Sequence, residues 1–108
     1  MARQEVEYKF DWDPKKDKAN RRKHLLAFRQ AATIFFDPKQ LSIFDEEHSE
    51  KEDRWITIGL DNLGKLQVVI HTFESVTEDL CRIRIISARS AEPEEQVQYL
   101  EVQDESKV

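Results

Sequence analysis

Four residues early in the chain, Lys16, Asn20, Lys23 and His24, stand at i, i+4, i+7 and i+8, the spacing that stacks side chains on one face of an α-helix. Two are cations, one is a histidine that can carry a proton, and one both donates and accepts hydrogen bonds, so together they suit a phosphate. Arg21 and Arg22 widen the patch, although the segment alone reads equally well as a solvated basic face. A second set lies near position 84. In extended chain Arg82 and Arg84 project to one side, with Cys81, Ile83 and Ile85 opposite, and Arg89 follows. Guanidinium groups raised from a sheet are planar, two-pronged phosphate donors. The plainer reading is a solvent-facing sheet, or pairing with a Glu-rich loop. His71 shares a strand face with Gln67 and Val69, where a lone histidine is more often structural, and His48 in an acidic loop reads as solvated. No His/Cys cluster has the spacing of a metal site, and the acidic loop lacks the Gly and the regular carboxylates of a calcium loop. No metal or cofactor is therefore expected. Cys81 and Ser87 have no partnering base that the sequence makes visible.

Charge is distributed unevenly around these residues. From Pro14 to Arg29 seven cations oppose a single acid, Asp17, leaving +6. The whole chain carries −5, so the remainder carries −11. Folding rarely needs such an imbalance, and it points to one face that meets an anion. At 108 residues, 39% hydrophobic and 36% charged, the chain suggests one domain over 1–108, with a core from about 6 to 101 and a frayed tail from 102 to 108. A single cysteine, no apolar run of membrane length and no signal-like leader lead us to expect a cytoplasmic protein. With two glycines, no phosphate-cradling Gly loop can be built.

The elements that must position these groups follow from pattern. Val6 to Trp12 alternate as a half-buried strand. Asp13 and Pro14 then offer an N-cap and a first helical residue for a helix reaching about His24. Phe28, Ala31, Ala32, Phe35 and Phe36 make the apolar stripe of a second helix, stopped at Asp37-Pro38. Leu41 to Phe44 is a short strand candidate, and 45–53 is a charged loop. Trp55 to Leu60 and Lys65 to Phe73 read as a hairpin through Asp61-Asn62-Leu63-Gly64. Glu74 to Asp79 is a polar turn, Leu80 to Ser87 a further strand, and Pro93 to about Glu101 a final helix. Short connections imply an antiparallel meander with helices on one face, an α+β fold.

Together these segments resemble the BrnT family, the toxin halves of type II toxin–antitoxin pairs. The matching stretches are Phe10-Asp11-Trp12-Asp13-Pro14, Lys16, Asn20 and Lys23-His24; Phe28, Ala31 and Phe35-Phe36-Asp37-Pro38; Glu47-His48-Ser49-Glu50 and Arg54 to Gly59; Val68 to Thr72; Arg84 to Ala91; and Glu95 with Tyr99. The resemblance implies a RelE-like fold with two N-terminal helices and a C-terminal helix. It implies a metal-independent endoribonuclease, free or ribosome-associated, that arrests translation. It also implies a DNA-binding BrnA-type antitoxin as partner, DNA contact only through that antitoxin, and a dimer or higher assembly with it. In such toxins a ribose 2′-hydroxyl attacks the adjacent phosphate, which needs a base, an acid and cations. By position, Lys16, His24, His71, Arg84 and Arg89 would be catalytic, and Asn20, Lys23, Arg54 and Arg82 would bind substrate. The alternative is a weak or inactive module of the same fold that acts through antitoxin binding and operon regulation.

The chain departs from the family pattern twice. Leu25 and Ala27 stand where the family has a helix-ending Gly and a helix-starting Ser, so the break between the first two helices is expected to weaken toward continuity. The last helix begins Glu92-Pro93-Glu94-Glu95 where the family is rich in Arg, and Ser90 replaces a common Arg. Fewer phosphate-attracting charges imply weaker RNA binding.

Overall fold

The computed structural model describes residues 6–105. Strand β1 (Glu7–Asp11) leads into helix α1 (Pro14–His24) and the short helix α2 (Phe28–Ala31), which tightens into a 3-10 turn over Ala32–Phe36. There follow β2 (Leu41–Phe44), a 3-10 turn at Glu46–His48, β3 (Trp55–Leu60), β4 (Leu66–His71), β5 (Glu74–Ser75), β6 (Leu80–Ser90) and α3 (Pro93–Glu105). No described helix is long and apolar enough to cross a membrane.

The sheet is mixed, which corrects the expected antiparallel meander. Its order is β1-β6-β4-β3-β2, with β5 also on β6. The strands β2, β3, β4 and β6 are antiparallel neighbours, but β1 lies parallel to β6, from Glu7 opposite Leu80 to Asp11 opposite Arg84. This pairing joins chain segments some seventy residues apart, and alternation within either strand says nothing about it. The segment taken as a polar turn contributes β5, and α3 continues to Glu105, through part of the expected frayed tail; 106–108 lie outside the described residues.

Helices occupy both faces, another departure from expectation. Phe28, Ala31, Ile34 and Phe35 bury against Val69, Ile83, Ile85 and Ala88, with Tyr8, Phe10 and Trp12 of the β1 region packed alongside. The 3-10 turn comes so close to β3 that a Cβ on Gly59 would stand 3.2 Å from Ile34 Cβ. Helix α3 belongs to the opposite face, where it meets the β3–β4 hairpin end at Leu60 and Leu66 and buries Tyr99. The Tyr99 hydroxyl donates to Asp37 Oδ2 at 2.7 Å, and the same oxygen accepts the Leu60 N–H at 2.8 Å. Partial burial works against ionisation of Asp37, but hydrogen bonds from Leu60, Tyr99 and Lys39 outweigh it and hold the carboxyl below its ordinary value. Burial and then the bond to Asp37 push the Tyr99 phenol up to about 12.

The break between α1 and α2 is intact, contrary to expectation. Leu25 adopts the left-handed conformation (φ 56°, ψ 32°) and donates its N–H to Arg21 O at 3.0 Å. Ala27 is extended at φ −79°, ψ 145°. The absent serine cap is replaced from a distance, because Asp17 Oδ1 accepts the Phe28 N–H at 2.9 Å. The single acid of the basic segment thus accepts the first N–H of the next helix, whose own N-cap residue, Ala27, has no side chain to do so.

Two outcomes follow. Leu25 is 92% exposed, so Leu25→Gly loses no packing and relieves the left-handed strain; unfolding in urea should show a gain of about 0.5–1 kcal/mol, net of the added chain entropy. Tyr99→Phe should cost about 1.5–3 kcal/mol at neutral pH, as for a hydrogen bond to a charged group. Because the folded phenol titrates above the unfolded one, its contribution is complete below pH 10 and is lost as pH rises through about 12. The stability gap between wild type and variant should therefore narrow across that window.

Candidate active site

Helix α1 divides the residues that helical spacing had placed together. Lys16 and Lys23 are exposed and His24 is half-buried, but Asn20 is only 7% exposed. Its Nδ2 donates to Leu26 O at 2.9 Å and its Oδ1 accepts the Ala88 N–H at 3.2 Å. Strand β1 pairs with β6 only as far as Arg84, so beyond that point β6 has an open edge, and the Asn20 amide fills it. Both ends of the side chain are engaged inside the fold, which takes Asn20 off the phosphate-binding face that its spacing suggested.

The outer face of β6 depends on a bulge. His71 pairs with Ile85 and Ile70 with Ser87, so Ile86 is the extra residue. Ile83 and Ile85 face the core before the bulge and Ala88 does so after it, which turns Arg89 to the side already holding Arg82 and Arg84. All three arginines have acidic neighbours. Arg82 lies 3.9 Å from Glu74, and Arg84 is paired with Glu52. Arg89 makes a two-pronged pair with Glu95 at 2.7 and 2.9 Å. Glu95 also accepts the Glu92 N–H at 2.9 Å, in the manner of a helix capping box. The Glu95 bond raises Arg89 above its ordinary pKa, and the same bond lowers Glu95. With its donor fork occupied, Arg89 is a brace between β6 and α3 and not a free phosphate ligand.

The α1 cations and the outer arginines, both expected to hold RNA, therefore do not face each other across one cleft. Helix α1 packs on the core side of β6, and Arg82 and Arg84 leave from the opposite side. His71 is also placed differently from a proton-transfer group. It is 3% exposed, its Nδ1 lies 2.9 Å from Thr72 O, and its Nε2 lies 2.6 Å from Thr57 Oγ1. A carbonyl only accepts, so Nδ1 carries the proton and Nε2 receives one from Thr57. The Phe35 ring meets the imidazole edge-on at 4.8 Å, and burial lowers its pKa below the ordinary value. The structure gives this histidine the role of a neutral core residue.

In the cleft that adjoins that of Arg84 through Glu52 stands a histidine that the sequence reading had left as solvated. Asp45 and His48 are one 3-10 turn apart, and His48 Nδ1 sits 2.9 and 3.2 Å from the two Asp45 oxygens. The Asp45 side chain is 10% exposed and that of His48 is 62% exposed. The carboxylate therefore fixes the ring by one nitrogen and leaves Nε2 toward solvent. Asp45 donates its N–H to Arg54 O, and Ser49 Oγ bridges Asp45 O and the Arg54 N–H, closing the loop at its base. His48, Glu52 and Arg54 line a cleft of about 240 Å³. Glu52 also lines the adjoining cleft of about 330 Å³ that holds Arg82, Arg84 and Thr72. Arg54 Nε is buried without a hydrogen-bond partner. The signal for this pair was present in the sequence as Asp45-x-x-His48, but it required knowing that the loop turns helically there. Among the described residues no group of three His, Cys, Asp or Glu could hold a metal ion.

A family model for the ribonuclease toxin BrnT of type II toxin–antitoxin systems matches residues 12–95. The fold is similar to the 1.1 Å crystal structure of the Brucella abortus ribonuclease toxin BrnT, with a TM-score of 0.52 and 27% identity, covering 77% of this chain and 95% of that one. No curated protein matches the sequence.

The division of α1 into one buried and several exposed polar residues has a measurable consequence. Asn20→Ala leaves a buried N–H and a buried C=O unpaired and should cost about 2–5 kcal/mol in urea unfolding. Lys16→Ala and Lys23→Ala, at exposed positions, should change stability by no more than about 0.5 kcal/mol.

Proposed function

Because the chain belongs to the BrnT family of ribonuclease toxins from type II toxin–antitoxin systems, we propose that it is a RelE-like endoribonuclease of the cytoplasm that cleaves RNA without a metal, inhibits translation and is neutralised by a BrnA-type antitoxin. The observation that supports this reading best is the corner where Asp45-oriented His48, Arg54, Glu52 and Arg84 line two adjoining clefts. There Glu52 accepts the proton of a ribose 2′-hydroxyl as that oxygen attacks the adjacent phosphorus. His48 gives a proton to the departing 5′-oxygen. The products are a 2′,3′-cyclic phosphate and a 5′-hydroxyl. Arg84 and Arg54 stabilise the charge gathering on the phosphoryl oxygens, and Arg82 extends the contact along the backbone. The exposed cations of α1, Lys16 and Lys23 among them, hold flanking phosphates, and His24 belongs to that surface.

A second reading has its own support. The outer arginines are matched within the molecule by Glu74, Glu52 and Glu95. That pairing fits a protein that keeps the antitoxin-binding fold while cleaving RNA weakly.

Growth on expression of the protein alone separates the two. Under the nuclease reading expression arrests growth, and Arg84→Ala or His48→Ala relieves it while circular dichroism stays unchanged. Purified protein should cleave RNA in EDTA, and either substitution should slow it by about 10²–10⁴-fold. Lys16→Ala should instead weaken RNA binding and lower its salt dependence. Arrest that survives both corner substitutions would place the chemistry elsewhere, and harmless expression with intact antitoxin binding would favour the second reading.

A further inference from the structure

Strand β2 is an outer strand of the sheet, and among the described residues no strand lies beyond it. Natural sheets blunt such an edge with a lysine, a proline, a bulge or an inward charge. The four residues Leu41, Ser42, Ile43 and Phe44 hold none of these, and they pair with β3 without a bulge. Ile43 is 63% exposed and Phe44 40% exposed. The register with β3 decides which backbone groups the edge offers. Asp45 donates its N–H to Arg54 O, so Leu41, Ile43 and Asp45 turn their N–H and C=O toward β3. Ser42 and Phe44 turn theirs outward. The offer ends there on both sides, because the Gln40 N–H goes to Asp37 O and the chain after Asp45 enters a 3-10 turn.

Two donors and two acceptors on alternate residues of one strand are complementary to the same strand running the other way. A twofold axis at Ile43 sets Ser42 of each copy opposite Phe44 of the other, which closes four hydrogen bonds and leaves no outward group over. An axis at Ser42 would call on the Gln40 N–H, which is already engaged. The side chains agree with the first register. On the sheet face away from Thr57 and Val69, Ile70, Ile56 and Ile43 stand opposite one another across β4, β3 and β2. Ile70 and Ile56 are half-buried, so the row is most exposed where it stops, at Ile43. With Ile43 facing its own copy the row runs on through both sheets. On the other face Phe44 falls beside Ser42, whose small side chain leaves it room. Charge agrees as well. Antiparallel strands bring Lys39, exposed before β2 of one copy, to the exposed Glu46 and Glu47 after β2 of the other.

We propose that β2 pairs with the β2 strand of a second copy of this chain, antiparallel about a twofold axis at Ile43, and joins the two sheets into one. A symmetric contact of this kind closes on itself, so assembly stops at two copies. The interface adjoins the corner described above, because β2 runs directly into the turn of Asp45 and His48, and Glu47 lines the His48 cleft. Each copy thus brings its Lys39 toward the rim of the other's cleft. The pairing does not depend on the ribonuclease reading.

Sedimentation equilibrium of the protein alone tests it. So short an edge belongs with the weak interfaces that bury less than about 1,200 Å², so dimer should appear as the concentration rises from about 10 μM toward about 1 mM. Ile43→Lys and Ile43→Glu each set like charges directly opposite and should weaken association by about tenfold or more, while the circular dichroism of the dilute proteins stays unchanged. An equal mixture of the two variants should recover association as a mixed dimer, a result specific to a twofold at Ile43. In wild-type hydrogen exchange, the Ser42 and Phe44 amides should slow as protein concentration rises. A protein that stays monomeric to about 1 mM would overturn the proposal. So would a dimer untouched by either substitution, a mixture that stays apart, or Ser42 and Phe44 amides whose exchange ignores concentration. A monomeric wild type whose antitoxin binding is lost in Ile43→Lys would give the edge to a strand of that partner instead.

Discussion

The fold depends on side chains that finish what short outer strands leave open. Strand β1 pairs with β6 for five residues and then departs, and β2 covers β3 only from Leu41, opposite Ile58, which leaves Gly59 and Leu60 uncovered. Past each departure a strand N–H faces inward with no strand to receive it, and an orphaned buried N–H is costly. Asn20 receives the Ala88 N–H at one edge, and Asp37 receives that of Leu60 at the other. Each residue also holds a second element: Asn20 fixes the turn at Leu26, and Asp37 takes the Tyr99 hydroxyl of α3. The helices are thereby positioned by hydrogen bonds to strand edges as well as by apolar contact. Asparagine sits in the middle of a basic helix because that turn of the helix faces an open edge, and the cations are exposed because Asn20 has fixed which side of α1 turns inward.

The same economy of polar groups shapes the charged surface. Asp17 is the sole acid among the α1 cations, and it leaves a +6 segment because the Phe28 N–H needs an acceptor there. On the opposite face the acids serve as partners. Glu52 meets Arg84, and Glu95 both caps α3 and clamps Arg89. The acidic remainder of the chain is thus not spread evenly. Part of it is set against the outer arginines, while the cations of α1 are left mostly unopposed.

Much of this was legible in the sequence, and what was not has a physical pattern. Apolar patterning located every strand but β5, and Asp13-Pro14 marked the start of α1, because those signals act within a few residues. The parallel union of β1 with β6, the bulge at Ile86 and the edge-capping by Asn20 are products of elements far apart in the chain. The weakened helix break failed as an expectation for the same reason: a local count found neither a Gly nor a Ser, and the cap came from Asp17, eleven residues earlier. For the candidate site, Arg82 and Arg84 were oriented correctly by alternation. His48 was passed over because its partner is made by a 3-10 turn inside a loop, and Arg89 was taken as free because Glu95 reaches it only across the turn into α3.

The pairing of Arg84 with Glu52 sets the terms on which any anion enters the corner. The pair is partly open to solvent, with both side chains more than a third exposed, so it is the kind of contact worth little in isolation. A phosphate that enters replaces a carboxylate on the same guanidinium and does not have to desolvate a bare cation. Under the proposed nuclease reading, the displaced Glu52 would be released beside the ribose, where a carboxylate can accept a proton, so substrate binding and exposure of the base would become one event. Arg89 cannot make this exchange as readily, because Glu95 grips it with two bonds and is itself held by the Glu92 N–H. Two arginines on one face of one strand thus have different fates, and the difference lies in how firmly each acid is anchored.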